Sequence, residues 1–203
     1  MWVLIGETEF IKNRLGIEEV SSIAPWTIAS ADADLPKAIV YLDLSGCFAR
    51  YRPESASADA WWIVHAPAYT LSELPPRTIR VNTWPGFAAG SNWEMVCANH
   101  NAVQLVREAL QALKKDPVNV PDRIGLIGAR VLAAIINEGF LLMGEGAATR
   151  TDIDLAMKLG TNYPSGPFEW AERIGWGEVY ALLKRLAETE TRYEPAAAWK
   201  ELI

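Results

Sequence analysis

Cysteine is scarce in this 203-residue chain, with only Cys47 and Cys97. Two thiols cannot build a disulfide framework, and no Cys/His cluster has metal-ligand spacing. The setting expected is therefore a reducing, cytoplasmic one. Histidine is equally scarce, with His65 and His100 the two examples. A basic block is also lacking. Lys plus Arg number 19 against 25 Asp plus Glu, for a net charge of −6. A binder of phosphate backbones needs a basic face, so no nucleic-acid partner is expected. No uncharged apolar run approaches the roughly 18 residues of a membrane span. The opening text, MWVLIGETEF, carries acids where a secretory leader would carry bases, so no leader is expected either. What the chain does have is apolar mass. Half of it is hydrophobic and nine residues are tryptophan, enough for a large, aromatic-rich core.

The pattern changes near Pro121, which divides the chain into expected domains at 1–120 and 121–203. Before that point, short apolar runs alternate with turn residues. Met1 to Ile5, Ala38 to Leu44, Trp61 to Val64, Thr78 to Val81, Trp93 to Ala98 and Pro117 to Val120 read as strands. Continuous apolar runs of this length suit strands buried on both faces, as in a parallel sheet. Val103, Val106, Leu110 and Leu113 recur at helical spacing, with Asn99 or Asn101 as the cap. After Pro121 the spacing is helical throughout. Ile127 to Met143 is apolar on more than one face, through Ile127, Val131, Leu132, Ile135, Ile136, Phe140, Leu141 and Met143. Thr149 and Asp152 read as a capping box, Gly160 as a C-cap, and Gly166-Pro167 as a helix start closed by Gly175. Val179, Leu182, Leu183 and Leu186 give one further amphipathic helix.

Two stretches of the helical half are specific: DIDLAMKLG at 152–160 and YPSGPFE at 163–169. With INEGFLLMGEG before them, they resemble the C-terminal domain of the 3-hydroxyacyl-CoA dehydrogenase family over about residues 122 to 195. Upstream, IRVNTWPGF and NWEMV at 79–96 resemble the end of that family's nucleotide-binding domain. The resemblance implies a fold of two classes: a shortened Rossmann-like α/β domain with a parallel sheet, followed by an all-α dimerisation domain. It also implies NAD-dependent oxidation of a 3-hydroxyacyl-CoA. In that chemistry a His acts as general base, oriented by a Glu, with a Ser and an Asn around the substrate oxygens.

Several positions depart from the family pattern. A dinucleotide loop needs Gly-x-Gly-x-x-Gly after the first strand. Here only Gly6 remains; Thr8 and Ile11 fill the other glycine positions, and Glu7 and Glu9 bring negative charge to the pyrophosphate site. Between Gly6 and Ala38 no second strand with a terminal acid is found, so the adenosine half is expected to be lost. Asn82 stands where the catalytic His belongs, at the family's spacing from Glu94. An amide cannot take a proton from a hydroxyl in the usable pH range. Ala129 takes the family's Asn position beside a matching Arg130, and the Ser position falls at Ala68, or at Thr70 with a one-residue gap past Tyr69. His65 and His100 are the remaining bases, Cys47 and Cys97 read as apolar core, and Asn137-Glu138 match the family text without an expected chemical role. The expectation is a degenerate, cytoplasmic relative without NAD or a catalytic base, homodimeric through its helices. It would bind an acyl-CoA-type ligand or regulate a partner. The alternatives are a divergent active NAD-dependent dehydrogenase, or a different activity reusing the cleft.

Overall fold

The computed structural model describes residues 1–19, 23, 25–45, 52–201 and 203. The chain forms two compact units, Met1–Leu126 and Ile127–Ile203. The first runs β1 (Trp2–Ile5), α1 (Thr8–Leu15), β2 (Trp26–Ala29), β3 (Val40–Asp43), β4 (Trp61–His65), β5 (Thr78–Val81), β6 (Asn92–Val96), α2 (His100–Gln111) and β7 (Asp116–Asn119). These strands make one seven-stranded sheet in the order β2-β1-β3-β4-β5-β6-β7. Every pairing is parallel except β5 with β6. β3 and β5 are buried along their whole length, Asp43, Thr78 and Arg80 included, as strands covered on both sides are.

The two faces are covered differently. On one, Ile11 and Leu15 of α1 and Ala102, Val106, Ala109 and Leu110 of α2 pack against Leu4, Val40, Leu42, Ile63 and Met95. On the other, Val3, Ile5, Tyr41, Trp62 and Val64 are covered by Leu35, Ala56, Ala60, Ala66 and Leu74, all outside helices of α type. The sheet is thus a reduced doubly wound form, with α-helices on one face only among the described residues. Asn99, not Asn101, caps α2: its side chain accepts the amides of Asn101 and Ala102.

One expectation needs correcting. The interval between Gly6 and Ala38 does hold a second strand, β2, parallel to β1 in the register Trp2 with Trp26 through Ile5 with Ala29. The text WTIA is only four residues long and lies at a sheet edge, where outward positions stay partly exposed. That removes the unbroken apolar signature of the central strands. Trp26 anchors it, buried and donating from Nε1 to the Ala109 carbonyl at 2.9 Å.

The second unit contains α3 (Gly128–Gly144), α4 (Arg150–Thr161), α5 (Pro167–Ile174) and α6 (Trp176–Ala187). Short 3-10 turns follow at Thr191–Tyr193 and Ala197–Glu201. α3 is the hub. Its Phe140 ring stacks on Trp199 at 4.0 Å, meets Phe168 at a tilt and meets Trp176 edge-on. The other side of α3 stays open, with Val131 at 54% and Leu141 at 41% exposure. Ile136, by contrast, is fully buried within the protomer. The Thr149–Asp152 capping box forms as its spacing requires. Gly160 is not the cap: α4 runs one turn-fraction further, and Asn162 closes it at φ +56, a left-handed site that Asn tolerates. No helix among the described residues is long and apolar enough to cross a membrane.

Candidate functional site

In open α/β sheets, ligands lie outside the carboxyl ends of the strands, beside the point where strand order reverses. Here that point is the β1–β3 boundary, because the chain goes from β1 outward to β2 and then back across to β3. The groups at this edge are therefore those following β1, β2, β3, β4 and β5.

After β1, Gly6 takes φ +147 and donates its amide to the Ala29 carbonyl at 3.0 Å, which ends the β1–β2 ladder. Glu7 follows as the N-cap residue of α1, yet its side chain makes no cap hydrogen bond. Its Oε1 instead accepts the Ser30 hydroxyl at 3.1 Å, joining the ends of β1 and β2. Ser30 Oγ also receives the Asp32 amide at 3.4 Å. An acid, Asp32, thus does follow β2, its amide joined through the Ser30 hydroxyl to Glu7, and Glu9 lies in the first turn of α1. A helix N-terminus attracts a pyrophosphate only where no anion already occupies it. Glu9's cationic neighbour, Lys12, lies one turn along α1 at 3.5 Å. The residues present do not fit a dinucleotide phosphate.

Asn82 follows β5 and Glu94 lies on β6, its antiparallel neighbour. The β5–β6 register pairs Arg80 with Val96 and Val81 with Met95, and continued by one residue it would set Asn82 opposite Glu94. The chemistry of a base does not follow. Asn82 is 2% exposed, and its Oδ1 accepts the Trp84 amide at 3.1 Å. Its Nδ2 and the neighbouring Thr83 hydroxyl are buried without a hydrogen-bond partner among the described residues. A buried amide donor in this state costs roughly 1–3 kcal/mol. It stands where the family pattern places a proton acceptor.

The structure uses the other candidates structurally. His65, at the end of β4, accepts the Thr83 amide on Nδ1 at 2.9 Å, so that nitrogen carries no proton in this geometry. Thr70 closes a capping box with Glu73, its hydroxyl 2.9 Å from the carboxylate. His100 is the exposed first residue of α2. Cys97 is buried, donates weakly to the Asn99 carbonyl at 3.4 Å, and is held in its thiol form because burial pushes its pKa up. Cys47 lies outside the described residues. No group of three or more potential metal ligands exists among the described residues.

In the helical unit, Arg130 binds the Tyr193 hydroxyl at 2.8 Å and the Glu190 carboxylate. Asn137 donates to the Glu194 carbonyl at 2.9 Å and accepts from the Ala196 amide and the Trp199 indole. Both hold the C-terminal segment on α3. Ala129, at the family's Asn position, is fully buried.

The two signature stretches turn out to be one joint. Asp154 Oδ1 accepts the Phe168 amide at 2.8 Å, so a carboxylate of α4 fills the N-terminus of α5. Burial raises the Asp154 pKa, partly opposed by the amides it receives. Glu169 folds back onto the Gly166 amide at 3.0 Å and pairs with Lys158, whose hydrogen bond lowers its pKa. A Cβ at Gly166 would overlap the Asp154 backbone and carboxylate, so only glycine fits there. Sequence reasoning named these stretches but missed Asp154 as their centre. The available signal was an acid on the buried face of an amphipathic helix.

Comparison with known proteins places this geometry. Residues 125–203 match the family model described as 3-hydroxyacyl-CoA dehydrogenase, C-terminal domain. The chain is 34% identical to the 3-hydroxyadipyl-CoA dehydrogenase of Escherichia coli (strain K12), over 98% of its own length and 43% of that protein. It is 45% identical to the human mitochondrial hydroxyacyl-coenzyme A dehydrogenase over 46% of its length and 31% of that protein. Among solved structures, a 3-hydroxybutyryl-CoA dehydrogenase from Escherichia coli K12 superposes with a TM-score of 0.62 at 28% identity, covering 68% of this chain and 30% of that one. The (S)-3-hydroxybutyryl-CoA dehydrogenase of Ralstonia eutropha shares the fold over 98% of this chain and 92% of its own, with a TM-score of 0.69 at 16% identity. The chain spans less than half the length of the curated relatives cited here.

Proposed function

The chain belongs to the 3-hydroxyacyl-CoA dehydrogenase family, and on that premise we propose that it is a degenerate member that neither binds NAD nor oxidises a hydroxyacyl substrate. The observation that carries this reading is Glu7. Its carboxylate sits at the N-terminus of α1 and is tied to Ser30 across the β1–β2 edge, where the family would seat a pyrophosphate. Asn82 adds a second obstacle, since its amide offers a donor and no base. What the chain keeps in this reading is a binding and assembly role: it takes up an acyl-CoA-type ligand or modulates a partner enzyme.

Calorimetric titration with NAD tests the reading. We expect no saturable heat at millimolar cofactor, and no turnover of 3-hydroxybutyryl-CoA above background. A micromolar dissociation constant, or measurable turnover, overturns it in favour of a divergent active dehydrogenase.

The assembly we propose is a homodimer through the helical unit. Val131 on α3 and Leu155 and Leu159 on α4 are exposed, Leu159 by 78%. Large apolar groups left exposed on two helices of one unit favour a twofold contact. Ile136 cannot report on it, being buried in the protomer already. Leu159→Glu can: we expect light scattering to fall from a dimer to about 22.4 kDa while the unfolding midpoint at high dilution stays unchanged. Wild-type protein that already scatters as a monomer refutes the dimer.

A further inference from the structure

Arg80, on β5, is fully buried, and its guanidinium is shared between two segments distant in sequence. Nε donates to the Ala66 carbonyl at 3.1 Å and Nη2 to the Pro67 carbonyl at 3.4 Å, both in the loop that follows β4. Nη1 pairs with the Asp122 carboxylate, and Nη2 also donates to the Arg123 carbonyl at 3.2 Å, both in the segment that closes the first unit. The two segments are cross-tied as well. Asp122 Oδ2 accepts the Leu71 amide at 2.9 Å, and the Gly125 amide donates to the Pro67 carbonyl at 2.6 Å. Gly125 and Leu126 both have positive φ, +84 and +47, and Leu126 is buried with Val96 and Val120. A leucine in the left-handed region is strained and persists only where its surroundings hold it.

We propose that the loop 66–71 and the segment 122–126 form a single conformational latch closed by Arg80, so that neither opens without the other. The loop lies at the carboxyl end of β4, the edge where parallel sheets receive ligands. The segment leads directly into the helical unit. Displacing the loop therefore releases the connector, and the latch is the device through which events at that sheet edge reach the connector. The direct contacts give the reason: one guanidinium cannot keep its geometry to Ala66 and Pro67 after Asp122 and Arg123 have left it. Buried charge left half-paired is unstable, so opening is all-or-none.

Hydrogen exchange on the full chain tests this by perturbing one side and reading the other. Gly125→Ala strains the connector at φ +84 without touching any Leu71 or Tyr69 contact. Thr70→Ala removes the loop's capping box without touching Gly125. We expect each variant to speed exchange of the far-side amides, Leu71 in the first and Gly125 and Leu126 in the second, by about tenfold or more, the scale of a lost charge-assisted hydrogen bond. Amides of β1 and α3 serve as the internal standard and keep their protection. Loosening confined to the mutated side overturns the proposal. So does Asp122→Ala, if it leaves the amides of both segments as protected as in wild type.

Discussion

Both units contain a helix with a carboxylate at its start, and the two arrangements differ in what would notice a change. At the start of α5 the carboxylate is Asp154, delivered from α4, buried, and aligned on the Phe168 amide. At the start of α1 it is Glu7, exposed, and turned away from the helix amides toward Ser30. The first is a packing joint: Gly166, Asp154, Lys158 and Glu169 each constrain the others. The second lies where only a bound phosphate would require glycine and neutrality. The text that resembles the family most falls in the joint. Of the text that departs from it, Glu7, Thr8 and Glu9 fall where packing makes no demand. A fold can therefore keep its frame while its ligand edge drifts.

The sharpest way to break the comparison is at Gly166. Gly166→Ala forces a Cβ into the Asp154 backbone, which cannot rotate aside. We expect a loss of about 3 kcal/mol or more in chemical denaturation, in the range of overpacked or strained core sites. A loss below about 1 kcal/mol would mean that α4 and α5 separate easily and the joint is not the anchor described.

Asp154 sharpens it further. Asp154→Ala leaves the Phe168 amide unpaired and should cost about 1–3 kcal/mol. Asp154→Asn keeps the acceptor and should cost less than Asp154→Ala at neutral pH. The sign with pH distinguishes charge from hydrogen bonding. Burial raises the folded pKa of Asp154, so its charged form is penalised in the fold at neutral pH. Acidification through that raised pKa toward the ordinary aspartate range relieves the penalty. Wild type should therefore gain stability relative to Asp154→Asn as pH falls through that window. Glu169 moves oppositely, since its pKa is lowered and its contribution is lost on acidification, but it is present in both proteins. Urea midpoints across pH measure the difference; a flat profile would remove charge from the account.

The smallest effect should come from Glu7→Gln. The side chain is exposed and makes one hydrogen bond, so we expect a stability change within about 0.5 kcal/mol. Equal tolerance at Glu7 and intolerance at Gly166 is the pattern the comparison requires. A large loss at Glu7 would make the α1 edge a structural joint as well.

Much of this was legible in the amino-acid text. Alternating short apolar runs specified a parallel sheet, and β3, β4 and β5 lie where runs such as IVYLDL and TIRV put them, because strands covered on both faces are written mostly in apolar residues, with Asp43, Thr78 and Arg80 the buried exceptions. The Thr149–Asp152 box and the Gly166-Pro167 start were local signals and formed locally. β2 was not legible, since a four-residue edge strand has half its surface in solvent and owes its place to a tryptophan reaching α2. The spacing of Asn82 from Glu94 could be counted, but not that the amide nitrogen of Asn82 would be buried without a hydrogen-bond partner among the described residues.

Local sequence thus determined which segments are strands and helices, where most of them cap, and which side chains must leave water, because propensity, periodicity and hydrophobic burial act over a few residues at a time. Only the tertiary structure decided the roles of polar groups whose partners lie far along the chain. Asp154 reaches an amide 14 residues away, Arg80 one segment 14 and another 42 residues away, and Asn137 partners nearly 60 residues away. A hydrogen bond depends on distance and angle between atoms, and nothing in the order of residues fixes those until the whole chain has closed.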